Sequence, residues 1–276
     1  MLPLNSPRWA NLKVCIGYAQ HIADEIQSVH VALDAKPPDE SGLNSAIEQL
    51  LLQFEDLDHQ QTTYTAAGAA VPHYVSLLPR LKTGTQIDLL WNIATLHYDG
   101  AGSRLKRKET RTPVEKETNF EDLANWYDKA IIDAKHFAIK LANSKDRSLA
   151  SEFRLFEAIA NLKGDNSTYY LLRDTYEYQF MCPNCDDDLV AKWGEGCYQV
   201  RSESIDNGPT ISIPPSVSLD DSIRQPYHAA LLPYYDMMIT GNRSLILNWL
   251  KQLLGQFPCP VCKRDSFIAY DDYFRR

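Results

Sequence analysis

The stretch FMCPNCDDDL at residues 180–189 sets Cys182 and Cys185 three positions apart, and PCPVCKRDS at 258–266 repeats the arrangement with Cys259 and Cys262. A CxxC turn lets two sulfurs from one tight bend reach the same ion, and two such turns complete a four-thiolate tetrahedron. Cys182, Cys185, Cys259 and Cys262 are therefore the expected ligands of one structural zinc ion. In both turns proline follows the first cysteine, as Pro183 and Pro260. Sulfur at all four positions leaves none open for water or substrate, which argues against hydrolytic zinc chemistry.

The two pairs are separated by 73 residues, far more than the spacing of ordinary zinc knuckles. Loop-closure entropy grows only slowly with length, whereas four thiolates on a divalent ion contribute on the order of 10 kcal/mol or more. The ion is thus expected to clip helices in the 225–255 region onto a sheet-like segment at 180–200. A thioredoxin-like redox pair would need one CxxC at a helix start after a strand, and it leaves the second pair unexplained. Cys197, in WGEGCYQV, is the alternative fourth ligand if it is not a small buried thiol like Cys15. Asp186, Asp187 and Asp188 lack the spaced oxygen partners of a calcium or magnesium site and read as solvated turn charges.

The rest of the chain reads as mainly helical. Ser6 and Pro7 suit the start of a long first helix, with Trp9, Leu12, Ile16, Ala19, Ala23, Ile26 and Val29 recurring at three- and four-residue steps. AKPPDESG ends it. Short apolar faces follow at 43–54 and 85–97, with a small-residue helix between them that breaks at Val71-Pro72 and resumes to Leu78. Residues 99–119, with Gly, Pro and mixed charge, read as a long surface loop. Thr118 and Glu121 form a capping box for a strongly amphipathic helix through Leu123, Tyr127, Ala130, Ala134, Ala138 and Leu141. Further helices are expected at 148–162, 167–177, 225–239 and 243–255. Aromatic and β-branched residues around each cysteine turn suit short strands.

The segment TTYTAAGAAVPHYVSLLPRLKTGTQIDLLWNIATLHYDGA, residues 62–101, resembles a HEAT-type unit: an alanine-rich helix, a proline opening a leucine-rich helix, and a turn into the next amphipathic helix. Residues 118–176 look like one or two more degenerate units, so the resemblance spans roughly 40–176. It implies a HEAT-like α-solenoid, residues 1–177, followed by a zinc-bound, zinc-ribbon-like α+β domain, residues 178–276.

Composition narrows the function. The chain has 276 residues, 44% of them hydrophobic and 23% charged, which is ordinary globular usage. No run approaches the ~20 apolar residues that cross a bilayer, and the N-terminus lacks the pattern of a signal peptide. Six cysteines, four in CxxC pairs, suit a reducing compartment, so a cytoplasmic protein is expected. Catalytic signatures such as GxSxG, GxxxxGK, HExxH and GxGxxG do not occur, and His59, His73, His97 and His228 are scattered.

The formal net charge of −8, which a four-thiolate zinc site deepens to about −10, disfavours nucleic acid and favours a basic partner. The expectation is a non-enzymatic protein-binding scaffold, in its narrowest form a bacterial immunity-type protein that neutralises a basic toxin or effector. The rival reading is a zinc-ribbon adaptor in which KRDSF and the basic loop of Arg104, Lys106, Arg107, Lys108 and Arg111 touch phosphates. An enzyme with an unrecognised site is the third.

Overall fold

A computed structural model describes residues 1–36, 39–59, 62–107, 115, 120–144, 148–165, 177–194, 197–205, 208–213, 234, 237, 244–253 and 255–267. The described structure is mainly helical with a small antiparallel sheet. Contacts divide the chain into two compact units: Met1–Leu141 with Ala158–Gly164, and Ala142–Glu157 with Asp165–Arg276.

The first unit begins with a departure from the expected long helix. Ser6 does cap and Pro7 does open the first turn, with the Arg8 N–H donating to Ser6 Oγ, but the result is a 3-10 turn, Pro7–Asn11. Helix α1 starts only at Gln20 and runs Gln20–Asp34. The intervening backbone bonds elsewhere. Lys13 N–H donates to Thr65 Oγ1, Ala66 N–H to the Lys13 carbonyl, and Cys15 N–H to the Asp56 carbonyl at 2.8 Å. Gly17, at φ +92°, reverses the chain so that Lys13 faces Tyr18 in an antiparallel bridge. These long-range partners replace the i to i−4 ladder, and Ile16, expected on the buried stripe, is 86% exposed.

Helices α2 (Glu40–Leu52) and α3 (Phe54–Leu57) follow, the former capped by Asp39, whose Oδ1 accepts from Gly42 N–H. A two-residue hairpin, β1 (Asp58–His59) with β2 (Thr62–Thr63), leads into α4 (Thr65–Leu77). This helix does not break at Val71-Pro72: Pro72 lies inside it. An interior proline costs about 3 kcal/mol, but every residue from Thr65 to Tyr74 is buried. Burial of Val71, Tyr74 and Leu77 alone, at about 1.5–3 kcal/mol each, outweighs that cost.

Helix α5 (Thr83–Tyr98) buries Ile87, Leu90 and Ala94 as its spacing predicts. Beyond it the expected loop at 99–119 gives way at its start to a helix, α6 (Ala101–Lys106). Gly100, at φ +95°, ends α5 and re-aims the chain. Glycine then permits unusually close packing on both sides. A Cβ on Gly68 of α4 would lie 2.4 Å from Leu105 Cδ1, and one on Gly102 would lie 2.7 Å from Tyr127 Cε1. Beyond Arg107 the expected loop lies outside the described residues, except for buried Glu115.

Helix α7 (Glu121–Ala142) buries Leu123, Tyr127, Ala130, Ala134, Ala138 and Leu141 on one face, as expected. Thr118 of the proposed capping box lies outside the described residues. Asp122 in the first turn forms a two-point ion pair with Arg8, at 2.6 and 2.9 Å. His73 and His97 are satisfied residues of this unit. His73 Nε2 bonds the Leu2 carbonyl at 2.7 Å, and His97 Nδ1 meets Tyr127 Oη at 2.9 Å. Helix α8 (Leu149–Lys163) follows. The expected helices at 167–177 and 225–239 fall on residues that are not described, apart from Glu177, Tyr234 and Met237.

In the second unit a four-stranded antiparallel sheet runs in sequence order through β3 (Glu177–Met181), β4 (Asp188–Gly194), β5 (Cys197–Ser202) and β6 (Ile211–Ser212). In β3 and β5 alternate residues are buried, among them Tyr178, Phe180, Tyr198 and Val200. Helix α9 (Ser244–Leu253) packs on β5 and buries Ile246, Trp249, Leu250 and Leu253. Trp249 Nε1 donates to Tyr198 Oη, and Tyr198 N–H donates to Gln252 Oε1 at 2.8 Å. Phe153 meets Trp249 edge-on at 4.8 Å. A last hairpin, β7 (Gln256–Pro258) with β8 (Asp265–Phe267), carries the second cysteine turn.

The glycine contact gives a quantitative expectation. Gly68→Ala should destabilise the chain by about 1–2 kcal/mol in denaturant titrations, because overpacking exceeds the gain in helix propensity. Adding Leu105→Ala should cost less than the sum of the two single changes. Additivity, or a more stable Gly68→Ala protein, contradicts the packing described.

Candidate metal centre

The two cysteine turns are built alike. Gln179–Asp188 reads QFMCPNCDDD and Gln256–Asp265 reads QFPCPVCKRD, so Gln, Phe, Cys, Pro, Cys and Asp recur at matched positions. The backbone repeats as well. Cys182 N–H donates to the Asp187 carbonyl and Cys259 N–H to the Arg264 carbonyl, both at 2.9 Å. Asp186 N–H returns to the Cys182 carbonyl, and Lys263 N–H to the Cys259 carbonyl. The residue after each second cysteine takes a left-handed conformation: Asp186 at φ 56° and Lys263 at φ 63°. Strand register also matches, with Met181 opposite Asp188 and Pro258 opposite Asp265.

Each turn is anchored by a phenylalanine two residues before its first cysteine. Phe180 and Phe257 are buried and meet edge-on at 6.2 Å and 85°. Asn184 adds a link across the halves, its Nδ2 donating to the Asp265 carbonyl at 2.9 Å. The repeat was present in the sequence as a ten-position alignment of the two stretches; spacing of the cysteines alone does not reveal it.

All four sulfurs, Cys182, Cys185, Cys259 and Cys262, lie within 4.8 Å of one another. Cys182 and Cys262 sulfurs are 3.9 Å apart across 80 residues, and Cys185 and Cys259 sulfurs are 3.9 Å apart across 74. Tetrahedral coordination with metal–sulfur bonds of about 2.3 Å requires sulfur separations of about 3.8 Å, which these approach. A disulfide would need about 2 Å, and all four cysteines are free thiols. The set could therefore hold one metal ion. Among the described residues it is the one group of three or more His, Cys, Asp or Glu side chains so placed.

The electrostatics favour a cation. Burial works against ionisation of Cys182, but the Asn184 amide and neighbouring thiols outweigh it and bring that thiol down to about 7. The Asp187 amide favours a thiolate at Cys185, yet desolvation and the other three sulfurs push it up to about 12. Burial likewise raises Cys259, against the amides of Cys262 and Val261. One negative charge is readily accommodated here; a second and third repel it. A divalent ion removes that conflict, so all four can be thiolates together.

Cys197 lies at the start of β5 opposite Gly194, outside this cluster. Cys15 donates its backbone N–H to Asp56 in the other unit. Among the aspartates, Asp187 accepts from Ser204 Oγ and Asp188 joins β4. Of the basic loop residues, Lys106 pairs with Asp128 at 2.8 Å, while Lys108 and Arg111 lie outside the described residues. Comparison with protein-family models, curated proteins and solved structures found no match to this chain.

The left-handed residues offer a local test. A non-glycine residue there costs roughly 1 kcal/mol or more, and asparagine or aspartate tolerates it best. Lys263→Gly should therefore raise the melting temperature of the metal-loaded protein, and Lys263→Val should lower it. A Lys263→Val protein as stable as the parent contradicts the turn geometry.

Proposed function

We propose that the four cysteines bind a single structural zinc ion, and that the chain is a non-catalytic, HEAT-like helical-repeat body that binds a basic protein. The convergence of four sulfurs from two like turns carries the zinc reading. A cross-link closing a loop of 74–80 residues is worth about 4–5 kcal/mol of denatured-state entropy, and the ion adds its own binding free energy of about 10 kcal/mol or more. That is as large as the whole stability of an ordinary domain, so the ion would determine whether the second unit folds. A shell filled with sulfur supports a structural over a hydrolytic role.

Support for the protein-binding half comes from packed helix pairs, α1 on α2 and α4 on α5, and from the net charge of −8. The narrowest form, a cytoplasmic immunity-type protein that neutralises a basic toxin, rests on that charge alone.

Two experiments test this. Protein purified under reducing conditions should contain one zinc per chain by elemental analysis. A strong chelator should lower its melting temperature, and Cys259→Ser should lose both the metal and the stabilisation. Zinc-free protein, iron in place of zinc, or an unaffected Cys259→Ser variant contradicts the proposal. Separately, gel-shift titrations with DNA and RNA at about 0.15 M salt should show no retardation, because the net charge of −8 opposes phosphate binding. Tight, salt-sensitive retardation would favour the adaptor reading.

A further inference from the structure

We propose that a cavity between α3 and α5 receives an arginine side chain of the basic partner protein, with the exposed Ile16 turn as the apolar contact beside it. This rests on the protein-binding reading above and names its surface. The cavity has a volume of about 180 Å³ and is lined by Phe54, Glu55, Asp58, Asn92, Thr95 and Leu96, all in the first unit.

Its polar lining presents acceptors. Glu55 and Asp58 contribute carboxylates. Asn92 Nδ2 is already donated to the Asp88 carbonyl at 2.9 Å, and Thr95 Oγ1–H to the Trp91 carbonyl at 3.0 Å, so each leaves its oxygen to accept. Asp58 Oδ1 is buried with no hydrogen-bond partner. A buried carboxylate oxygen left unpaired is costly, but this one is closed to solvent, so a donor approaches through the accessible carboxylate surface of Glu55 and Asp58. No lysine or arginine among the described residues pairs with Glu55 or Asp58. Phe54 and Leu96 supply apolar surface for the stem and plane of a guanidinium, which reaches two carboxylates in a way that a compact ammonium does not.

The surroundings fit a cationic protein. Residues 1–60 hold nine Asp and Glu against three Lys and Arg, a net charge of −6, of which Asp34 and Glu40 are paired with Arg80 and Lys82 from outside this stretch. The Cys15 N–H bond to the Asp56 carbonyl pins the Ile16 turn to α3, one residue from Glu55 and two from Asp58. At its tip Ile16 is 86% exposed and Tyr18 is 49% exposed. Gly17 and the Lys13–Tyr18 bridge hold the turn in one shape, so an apolar anchor placed there loses little conformational freedom on binding.

The test pans the immobilised full-length chain against a displayed library of random peptides. Selected peptides are then titrated against wild type and against Asp58→Asn, Glu55→Gln, Thr95→Lys, Ile16→Ser and the charge-matched control Glu203→Gln. Each variant is first checked for an unchanged circular-dichroism spectrum and melting temperature. The expected peptides carry arginine next to an apolar residue. Affinity should fall about tenfold or more in Asp58→Asn and Glu55→Gln, and several-fold in Ile16→Ser. Thr95→Lys, which puts the chain's own ammonium among the carboxylates, should abolish binding, and Glu203→Gln should leave it unchanged. Should Asp58→Asn misfold, Thr95→Lys and Glu55→Gln carry the same test. Equal binding after Arg→Lys in the peptide, or binding that survives the cavity variants, overturns this surface while leaving a protein-binding role intact. Failure to select any peptide counts against that role itself.

Discussion

Four thiols held within 4.8 Å of one another are the constraint on which the second unit depends. Without a cation they are in conflict: the environment that brings Cys182 down to about 7 pushes Cys185 up to about 12. With a divalent ion the conflict becomes the strongest tie in this part of the chain. The hydrophobic contacts around it are ordinary in kind. Phe180 against Phe257, and Trp249 against Phe153 and Tyr198, would each contribute a few kcal/mol at most beyond burial. They set where the turns sit; a bound ion would set whether they stay together.

The likeness of the two turns explains how segments so distant in sequence make one site. Matching phenylalanines, matching amide-to-carbonyl bonds and matching left-handed residues present sulfurs with the same local geometry from each side. The halves differ in charge: Asp186, Asp187 and Asp188 on one, Lys263 and Arg264 on the other. Opposite charge on paired turns favours their association before any metal binds, an effect that salt weakens.

Much of this was legible in the residues. Cysteine spacing identified the four that converge, and three- and four-residue periodicity located α5, α7 and α9 closely, because each buries an apolar face; α8 was also expected, but it is buried without a break from Leu155 to Leu162 and shows no single apolar face. The failures share a cause. The segment 12–19 keeps helical periodicity, yet its backbone bonds go to Thr65, Ala66 and Asp56, partners about 40–50 positions away. Pro72 signals a break that burial of α4 overrides. Gly100 and Gly102 read as loop residues, though one re-aims the chain and the other lets Tyr127 approach. Local propensity describes neighbours along the chain, and each of these positions is decided by neighbours in space. The α3–α5 cavity was invisible for the same reason: its two carboxylates and its α5 residues lie more than thirty positions apart.

The central claim, a zinc ion with an all-sulfur shell, is tested most directly by X-ray absorption at the zinc edge on protein purified under reducing conditions. The account predicts four sulfur neighbours at about 2.3 Å and no nitrogen or oxygen in the first shell. A shell of two sulfurs completed by light atoms would show that the turns do not share one ion and would contradict the account.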